Sequence, residues 1–184
     1  MVLKGCLHTH TTCSDGKLTP QEVADAYEGR GYDFIAFTDH DYLLKPDYLA
    51  VYSRVKTDML IFNGIELTVF LKGYLHVNRI SGDNDELYIL NHLGEYGLPI
   101  DQIQDRLNGV SRMYPIDAVE ITSKGFRHSE YEVPEIKYPK IASDDMHAKV
   151  GIGRAWVEMD VRSKTRDSII QAIRHGDFWN CYIQ

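Results

Sequence analysis

The feature that most constrains this chain is a series of short apolar segments that end in ionisable side chains. Residues 2–7 lead into HTH at 8–10, and the apolar FIAF at 34–37 leads into TDHD at 38–41. Segments with helix signals alternate with these strands, such as 19–31, which opens with a threonine cap followed by proline. This alternation predicts an α/β fold with a mainly parallel sheet or barrel.

The same pattern continues to the end of the chain. Further strands are expected at 59–65, 74–80, 88–90, 118–121 and 141–142, and further helices at 46–55, 100–107 and 163–175. The last helix carries Ile169, Ile170 and Ile173 on one face and has Gly176 as its stop. No repeat, low-complexity tract or linker interrupts the pattern, so we expect residues 1–184 to form a single domain.

Composition narrows the class of protein. The chain has three cysteines and no CxxC spacing, which argues against a disulfide scaffold or a thiolate zinc site. No apolar run approaches the roughly 20 residues that span a bilayer, so no membrane contact is expected. The first residues lack the layout of a signal peptide, and we therefore expect a cytoplasmic protein.

Charge bears on the partners. The formal net charge of −7 disfavours nucleic acid, because phosphate backbones attract basic surfaces. Bound divalent cations would offset most of this charge and would place positive charge in the site itself. The acidic balance therefore favours a small phosphorylated substrate over nucleic acid, but it leaves nucleic acid open. It gives no expectation about the oligomeric state.

Several polar motifs have the residue types of metal ligands. His8 and His10 lie two residues apart, so a strand would place both imidazoles on one face. Asp145 and His147 repeat this spacing. Each motif alone has an ordinary explanation, such as a capping histidine, a turn, a solvated strand end or a buried histidine with a hydrogen-bond partner.

The set as a whole is more specific than its parts. In parallel α/β folds the carboxyl ends of the strands gather at one rim, which would bring distant segments together. Histidine and carboxylate ligands without cysteine suit Zn²⁺, Mn²⁺ or Fe²⁺, and the candidates outnumber the ligands of one tetrahedral ion. The candidate metal ligands are His8, His10, Asp15, His40, Glu66, His76, His92, Asp145 and His147.

Taken in order, these motifs resemble a known family. HTHTTCSDG at 8–16, FTDHD at 37–41, GIE at 64–66, the single histidines at 76 and 92, and SDDMH at 143–147 resemble the PHP (polymerase and histidinol phosphatase) domain family. The resemblance covers nearly the whole chain. It implies a distorted (β/α)7 barrel that holds two or three divalent metal ions.

The resemblance also implies how the ligands are shared. The first metal would take His8, His10, Glu66 and Asp145; the second would take Glu66, His76 and His92; the third would take Asp15, His40 and His147. Glu66 would then bridge two ions.

The implied activity is that of a metal-dependent phosphoesterase. A hydroxide that bridges the metals would attack a phosphomonoester or phosphodiester of a small substrate, with Glu66, Asp145 and His147 as the catalytic residues. Asp39, Asp41 and Asp144 are candidates for orienting ligands or donating a proton, and Arg154 for holding a phosphate. The alternatives are a nuclease or proofreading module that acts on nucleic-acid ends, and a non-catalytic, metal-stabilised domain that binds a partner.

Overall fold

The computed structural model describes residues 1–183, which form eleven strands and four α-helices. The strands are β1 Val2–Thr9, β2 Phe34–Phe37, β3 Leu60–Phe70, β4 Tyr74–Ser81, β5 Glu86–Leu90, β6 Ala118–Glu120, β7 Thr122–Ser123, β8 Phe126–Arg127, β9 Lys140–Ile141, β10 Ala155–Asp160 and β11 Trp179–Tyr182. The helices are α1 Pro20–Glu28, α2 Tyr48–Tyr52, α3 Ile100–Val110 and α4 Arg166–His175. None of the helices within residues 1–183 has the length and apolar character that crossing a bilayer requires.

Nine strands form one sheet in the order β11-β10-β1-β2-β3-β4-β5-β6-β9, and β7 and β8 form a separate hairpin. The sheet curves into a nearly closed barrel, so the expected α/β barrel architecture is confirmed. The pairing is less parallel than expected. β1–β2, β2–β3, β5–β6 and β6–β9 are parallel, whereas β1–β10, β10–β11, β3–β4 and β4–β5 are antiparallel.

Connection length explains much of the antiparallel pairing. Residues 71–73 join β3 to β4, and residues 82–85 join β4 to β5, so each pair is a hairpin. Parallel neighbours need a crossover of about a dozen residues or more, and α1, α2 and α3 lie in three such crossovers. The crossover from β6 to β9 carries the β7–β8 hairpin and a 3-10 turn at Ser129–Tyr131 instead of an α-helix.

Two strands differ from expectation: β3 is longer than predicted, and β10 was not predicted. Strand β3 does not end at Glu66, because the strand-forming residues Leu67–Phe70 continue the ladder with β4 as far as the Phe70–Tyr74 pair. Strand β10 was not predicted, although Ala155, Val157 and Met159 are buried in the alternating pattern of a strand.

Helix α4 packs on the apolar interior of the barrel. Ile169, Ile170 and Ile173 are fully buried in the same cluster as Leu7 of β1 and Phe62 of β3. The α4 helix begins where the Thr165 side chain accepts a hydrogen bond from the Ser168 amide, and it ends at Gly176, whose φ of 72° suits glycine. Arg166 at the start of α4 donates to the Ile61 carbonyl near the beginning of β3, so α4 lies at the amino end of this parallel strand, whereas Glu66 lies further along it.

The side chain of Asn180 joins the two edge strands of the barrel. Its carbonyl oxygen accepts a hydrogen bond from the Ala142 amide at 2.8 Å, and its amide donates to the Lys140 carbonyl at 2.8 Å. The Asn180 side-chain amide therefore makes the two hydrogen bonds to the β9 segment that the backbone of a neighbouring strand would otherwise make.

We expect Asn180→Ala to lower the free energy of unfolding by about 1–3 kcal/mol, because it leaves backbone groups at the seam without partners. Urea denaturation would measure the change, and hydrogen exchange at the Ala142 amide should accelerate. Asn108→Ala on the exposed face of α3 is the matched control and should cost nothing, since alanine favours helix. Equal stability of the two variants would contradict the role of Asn180.

Candidate metal centre

Backbone pairing fixes the first part of the site. His8 and His10 lie at the end of β1, and the His10 amide donates to the Met146 carbonyl at 2.8 Å. Thr9 and Met146 form an isolated parallel bridge. Asp145 and His147, which flank Met146, are thus held beside the two imidazoles of β1.

A second backbone bridge places His40 beside Glu66. The two residues pair in parallel, and the Glu66 amide donates to the Asp39 carbonyl at 3.1 Å. Within the β3–β4 ladder Glu66 faces Asn78, and Thr68 faces His76, so His76 lies diagonally across from Glu66 on the same face. The sheet register therefore directs Glu66 into the middle of the site.

The first ligand group contains His8, His10, Glu66 and Asp145. His8 Nε2 and His10 Nε2 are 3.1 Å apart, and they lie 3.4 Å and 3.3 Å from Asp145 Oδ1. His10 Nε2 is 3.3 Å from Glu66 Oε2. Tetrahedral zinc with bonds of about 2.0–2.1 Å separates its ligands by about 3.3 Å. These four side chains thus have the spacing of one coordination shell.

The second group contains Glu66, His76 and His92. Glu66 Oε1 lies 3.3 Å from His76 Nδ1 and 3.2 Å from His92 Nε2, and the two nitrogens are 3.3 Å apart. The two oxygens of Glu66 face different neighbours: Oε2 faces His10 and His40, and Oε1 faces His76, His92 and, at 3.4 Å, His8. This is the arrangement that a bridging carboxylate requires.

The third group contains Asp15, His40 and His147 and is looser. Asp15 Oδ2 lies 3.4 Å from His147 Nε2 and 3.8 Å from His40 Nε2. Asp15 and His147 expose 36% and 30% of their side chains, whereas Glu66 exposes 1%. Ligand atoms of these residues and His10 lie within 4.8 Å of one another. All the predicted ligands thus meet at one place, and their role in binding metal stays a prediction.

Three imidazole nitrogens at the site are buried without a hydrogen-bond partner, and the donor types of the site suit divalent cations. His10 Nδ1, His40 Nδ1 and His92 Nδ1 are buried and make no hydrogen bond within residues 1–183. His40 Nδ1 approaches Glu66 Oε2 to 3.0 Å, yet not in hydrogen-bonding orientation. Buried polar atoms without partners are rare and costly. Imidazole nitrogens and carboxylate oxygens at coordination spacing fit Zn²⁺, Mn²⁺ or Fe²⁺.

Burial and neighbouring charges shift the pKa values of the side chains in the site. Burial alone would lower the pKa of His10, but hydrogen bonds to Asp145 and Glu66 raise it to about 9. Burial would raise the pKa of Glu66, but the imidazoles around it, His8 foremost, hold it well below its usual range. Burial and the nearby His10 lower the pKa of His147. Without metal, the carboxylates thus keep protons on the central imidazoles.

Glu120 is a site residue that the sequence reasoning overlooked. Its buried carboxylate accepts a hydrogen bond from His8 Nδ1 at 2.9 Å and another from the His92 amide at 3.1 Å. It thereby leaves the His8 Nε2 lone pair directed at the centre. The signal was present in the sequence, since AVE at 118–120 repeats the pattern of GIE at 64–66, an apolar segment ending in an acid.

Two asparagines behind Glu66 were also missed. Asn91 donates to Glu66 Oε1 at 2.7 Å and to Asn78 Oδ1 at 2.9 Å. Asn78 in turn donates to the Leu7 carbonyl at 3.3 Å. This buried chain connects the central carboxylate to β1 and fixes its orientation.

The other acids singled out by sequence have local roles. The Asp39 carboxylate accepts from the Thr11 amide and hydroxyl and from the Ser14 and Tyr52 hydroxyls, which holds the loop that carries Asp15. The Asp144 carboxylate accepts from the Tyr27 hydroxyl and from the amides of residues 153–155. Neither carboxylate has hydrogen-bonding capacity left for donating a proton to substrate.

Left-handed backbone occurs at two of the candidate ligands. His92 has a φ of 32° and Asp145 a φ of 45°, a region that residues other than glycine seldom adopt. The Glu120 carboxylate holds the His92 amide, and the Thr9–Met146 bridge follows Asp145. Backbone strain of this kind persists only where surrounding contacts impose it, and it concentrates at functional sites.

Comparison with known proteins gives the class of fold. No protein-family model matches the chain. A stretch of 43 residues, 23% of this chain and 8% of the other protein, is 46% identical to the DNA polymerase/3′-5′ exonuclease PolX of Bacillus subtilis (strain 168). A two-domain protein from Bacteroides vulgatus that contains a predicted PHP-like metal-dependent phosphoesterase matches with a TM-score of 0.74 and 16% identity, over 99% of this chain and 65% of that one.

The lesion-specific endonuclease PfuEndoQ from Pyrococcus furiosus matches with a TM-score of 0.69 and 16% identity, over 100% of this chain and 60% of that one. The chain thus spans less than two thirds of each of these three proteins. At this level of identity the two structures establish the fold. The chain has a PHP-like fold, and the resemblance that the motifs indicated is confirmed at that level.

We expect Glu120→Ala to weaken metal binding by roughly 10–100-fold, the loss typical of removing a group that orients a metal-bound histidine. Both His8 and the His92 backbone lose their acceptor in this variant. Glu120→Gln keeps an acceptor oxygen and should lose less. Titration against a fluorescent zinc chelator would measure both, and wild-type affinity in Glu120→Ala would contradict the orienting role.

Metal binding near neutral pH should release protons. The pKa of His10 is about 9 without metal, so its imidazole is protonated at neutral pH and must lose that proton to coordinate. The apparent affinity for Zn²⁺ should therefore rise from about pH 6 to about pH 8. Calorimetric titrations in buffers of different ionisation enthalpy would count the protons, and a count of zero would contradict this account.

Proposed function

We propose that this protein is a metal-dependent phosphoric ester hydrolase that holds two or three divalent ions, drawn from zinc, manganese and iron, at the open end of its barrel. The observation that carries this proposal is the convergence of imidazoles and carboxylates on the buried carboxylate of Glu66, at coordination spacing. The phosphoesterase and endonuclease named among the structures of like fold support the same class of reaction.

In this proposal the ligand groups described above bind the ions, with Glu66 shared between the first and second. Bound divalent ions would supply Lewis-acid charge for the phosphate oxygens and would lower the pKa of a coordinated water. Asp145 keeps its negative charge, because burial is outweighed by the imidazoles of His8 and His10, which lower its pKa. His147 keeps a neutral imidazole with a free lone pair, since its pKa is lowered. Asn91 fixes the orientation of Glu66.

The cavity above the metal centre suits a small phosphorylated substrate. It has a volume of about 430 Å³, within the ~300–1,000 Å³ usual for small-ligand sites. Lys124 and Arg154 line it together with His40 and His76, and both carry charge that attracts phosphate oxygens. Arg154 is held in place because its guanidinium donates to the Lys124 carbonyl at 3.1 Å and lies over the Phe126 ring.

A nuclease is the second candidate. The likeness to PolX and to PfuEndoQ favours it, because both proteins are named for action on nucleic acid. The net charge of −7 favours a small substrate instead. A labelled single-stranded oligonucleotide offered beside p-nitrophenyl phosphate separates the two candidates, and degradation of the oligonucleotide would favour the nuclease.

Glu66→Ala is expected to abolish hydrolysis of p-nitrophenyl phosphate and to strip bound metal, because it removes the carboxylate that both inner groups share. The loss should exceed the roughly 10–100-fold typical of residues behind the ligands. Elemental analysis and turnover with Mn²⁺ or Zn²⁺, with and without chelator, measure the two effects. Glu135→Ala, at an exposed glutamate, is the control. Wild-type metal content in Glu66→Ala would reject the bridging role.

A further inference from the structure

One nitrogen of a candidate ligand is not explained by the ligand groups. His92 Nε2 lies 3.2 Å from Glu66 Oε1, whereas His92 Nδ1 is buried and makes no hydrogen bond within residues 1–183. The His92 side chain exposes 4% of its surface, so bulk water is not the partner of this nitrogen. Because buried polar atoms without partners are rare in folded proteins, the surroundings of His92 Nδ1 call for an explanation.

A carboxylate that is not among the candidate ligands lies next to this nitrogen. Glu95 Oε2 is 3.7 Å from His92 Nδ1. A hydrogen bond between these atoms needs about 2.7–3.2 Å, so the gap to close is about half an ångström. The Glu95 side chain is 35% exposed, which leaves it room to rotate toward the ring.

The backbone fixes Glu95 at this position. Residues Leu93–Tyr96 form a single 3-10 turn, in which the Glu95 amide donates to the His92 carbonyl at 2.9 Å. The ring of His128 packs against the turn so closely that a Cβ atom on Gly94 would lie 2.3 Å from His128 Cγ. The turn is thus held by its own hydrogen bond and by a neighbouring ring, and it keeps Glu95 beside His92.

The other oxygen of Glu95 faces a lysine at the cavity. Glu95 Oε1 lies 3.6 Å from Lys124 Nζ, and both residues line the cavity of about 430 Å³ above the candidate metal centre. Lys124 is 64% exposed, and ion pairs at such exposed positions are weak. The pair with Lys124 alone therefore gives little reason for a carboxylate here, and the buried nitrogen of His92 gives a stronger one.

The same arrangement occurs at another candidate ligand. The Glu120 carboxylate accepts a hydrogen bond from His8 Nδ1 at 2.9 Å, and His8 Nε2 faces the other ligands. His92 likewise has a carboxylate on its Nδ1 side and directs Nε2 into the site. A carboxylate that accepts the Nδ1 proton fixes the tautomer and the orientation of an imidazole and makes its Nε2 a stronger donor to a metal.

We propose that Glu95 is a positioning residue for His92: its carboxylate accepts the Nδ1 proton when His92 Nε2 binds a metal ion, and its second oxygen keeps Lys124 beside the cavity. This inference rests on the proposed metal-dependent function and adds a residue to it. One carboxylate then links a metal ligand to a cation that faces the substrate.

Zinc affinity tests this role. Glu95→Ala should weaken zinc binding by about tenfold or more, the lower end of the loss on removing a group that orients a metal-bound histidine. Glu95→Gln keeps an acceptor oxygen and should lose less. Lys124→Ala should keep the wild-type affinity, because Glu95 keeps its carboxylate in this variant, and Glu135→Ala is the control at an exposed glutamate. Competition with a fluorescent zinc chelator measures all four variants.

The comparison of two of these variants guards against a simpler explanation. If Glu95 served only as the ion-pair partner of Lys124, then Glu95→Ala and Lys124→Ala would change the zinc affinity equally. Equal changes would overturn the proposal.

A spectroscopic signature separates positioning from a general effect on the fold. Long-range ¹H–¹⁵N spectra of the zinc-loaded chain with labelled histidine should show separate hydrogen-bonded Nδ1 protons for His8 and His92. Glu120→Ala should remove the signal of His8, and Glu95→Ala should remove that of His92 while leaving that of His8. A His92 signal that is unchanged in Glu95→Ala would overturn the proposal.

Neither measurement requires turnover, so this inference and the proposed function can fail separately. A His92 signal that depends on Glu95, without hydrolysis of p-nitrophenyl phosphate by the zinc-loaded wild type, would reject the hydrolase and support the positioning role. Hydrolysis by the wild type, with zinc affinity and His92 signal unchanged in Glu95→Ala, would support the hydrolase and overturn the positioning role.

Discussion

The buried carboxylate of Glu66 is the constraint around which this end of the barrel is organised. A charged group with 1% of its side chain exposed is tolerated only when it is paired and hydrogen-bonded, because an unpaired buried charge costs several kcal/mol. Five imidazoles approach its two oxygens within 3.4 Å, and Asn91 donates to one of them. Protons or metal ions must supply the positive charge, and the raised pKa of His10 is consistent with protons in this role when metal is absent.

The placement of Glu66 depends on the irregular part of the barrel. In a regular parallel barrel the functional residues follow the strands, whereas Glu66 lies inside β3 and His76 inside β4. The antiparallel β3–β4 hairpin extends past the barrel rim, and its register sets Glu66 and His76 on one face. The same extension carries Phe70 and Tyr74 beyond the metal centre. One hairpin thereby supplies both the central carboxylate and two exposed aromatic rings.

Sequence patterns could predict the strand-end residues but not every contact behind them. His8, His10, His40 and Asp145 follow apolar segments, and burial of those segments as strands was enough to bring them together. Periodicity reports which residues are buried, not the direction in which a strand pairs. The antiparallel β3–β4–β5 segment and the position of Glu66 within β3 therefore emerged only in three dimensions.

The supporting residues were missed for a different reason. Glu120 ends an apolar segment just as Glu66 does, so pattern alone gives both the same meaning. The two carboxylates differ in the nitrogen of His8 that each one contacts. Glu120 lies beside His8 Nδ1, and Glu66 lies beside His8 Nε2 together with the other candidate ligands. Which ring nitrogen a carboxylate contacts depends on how the strands pack in the barrel, and the sequence pattern does not contain that information.

Lys124 and Tyr74, which lie near the candidate metal ligands, belong to hairpins that depart from regular strand–helix alternation. Lys124 lies at the turn of the β7–β8 hairpin with a φ of 50°, in the crossover from β6 to β9, which has no α-helix. Tyr74 follows the short turn between β3 and β4. Connections carry little of the barrel core, so their side chains are free to differ without disturbing the ligands. The candidate metal ligands are thus positioned by the barrel, whereas Lys124 and Tyr74 are positioned by the two irregular hairpins.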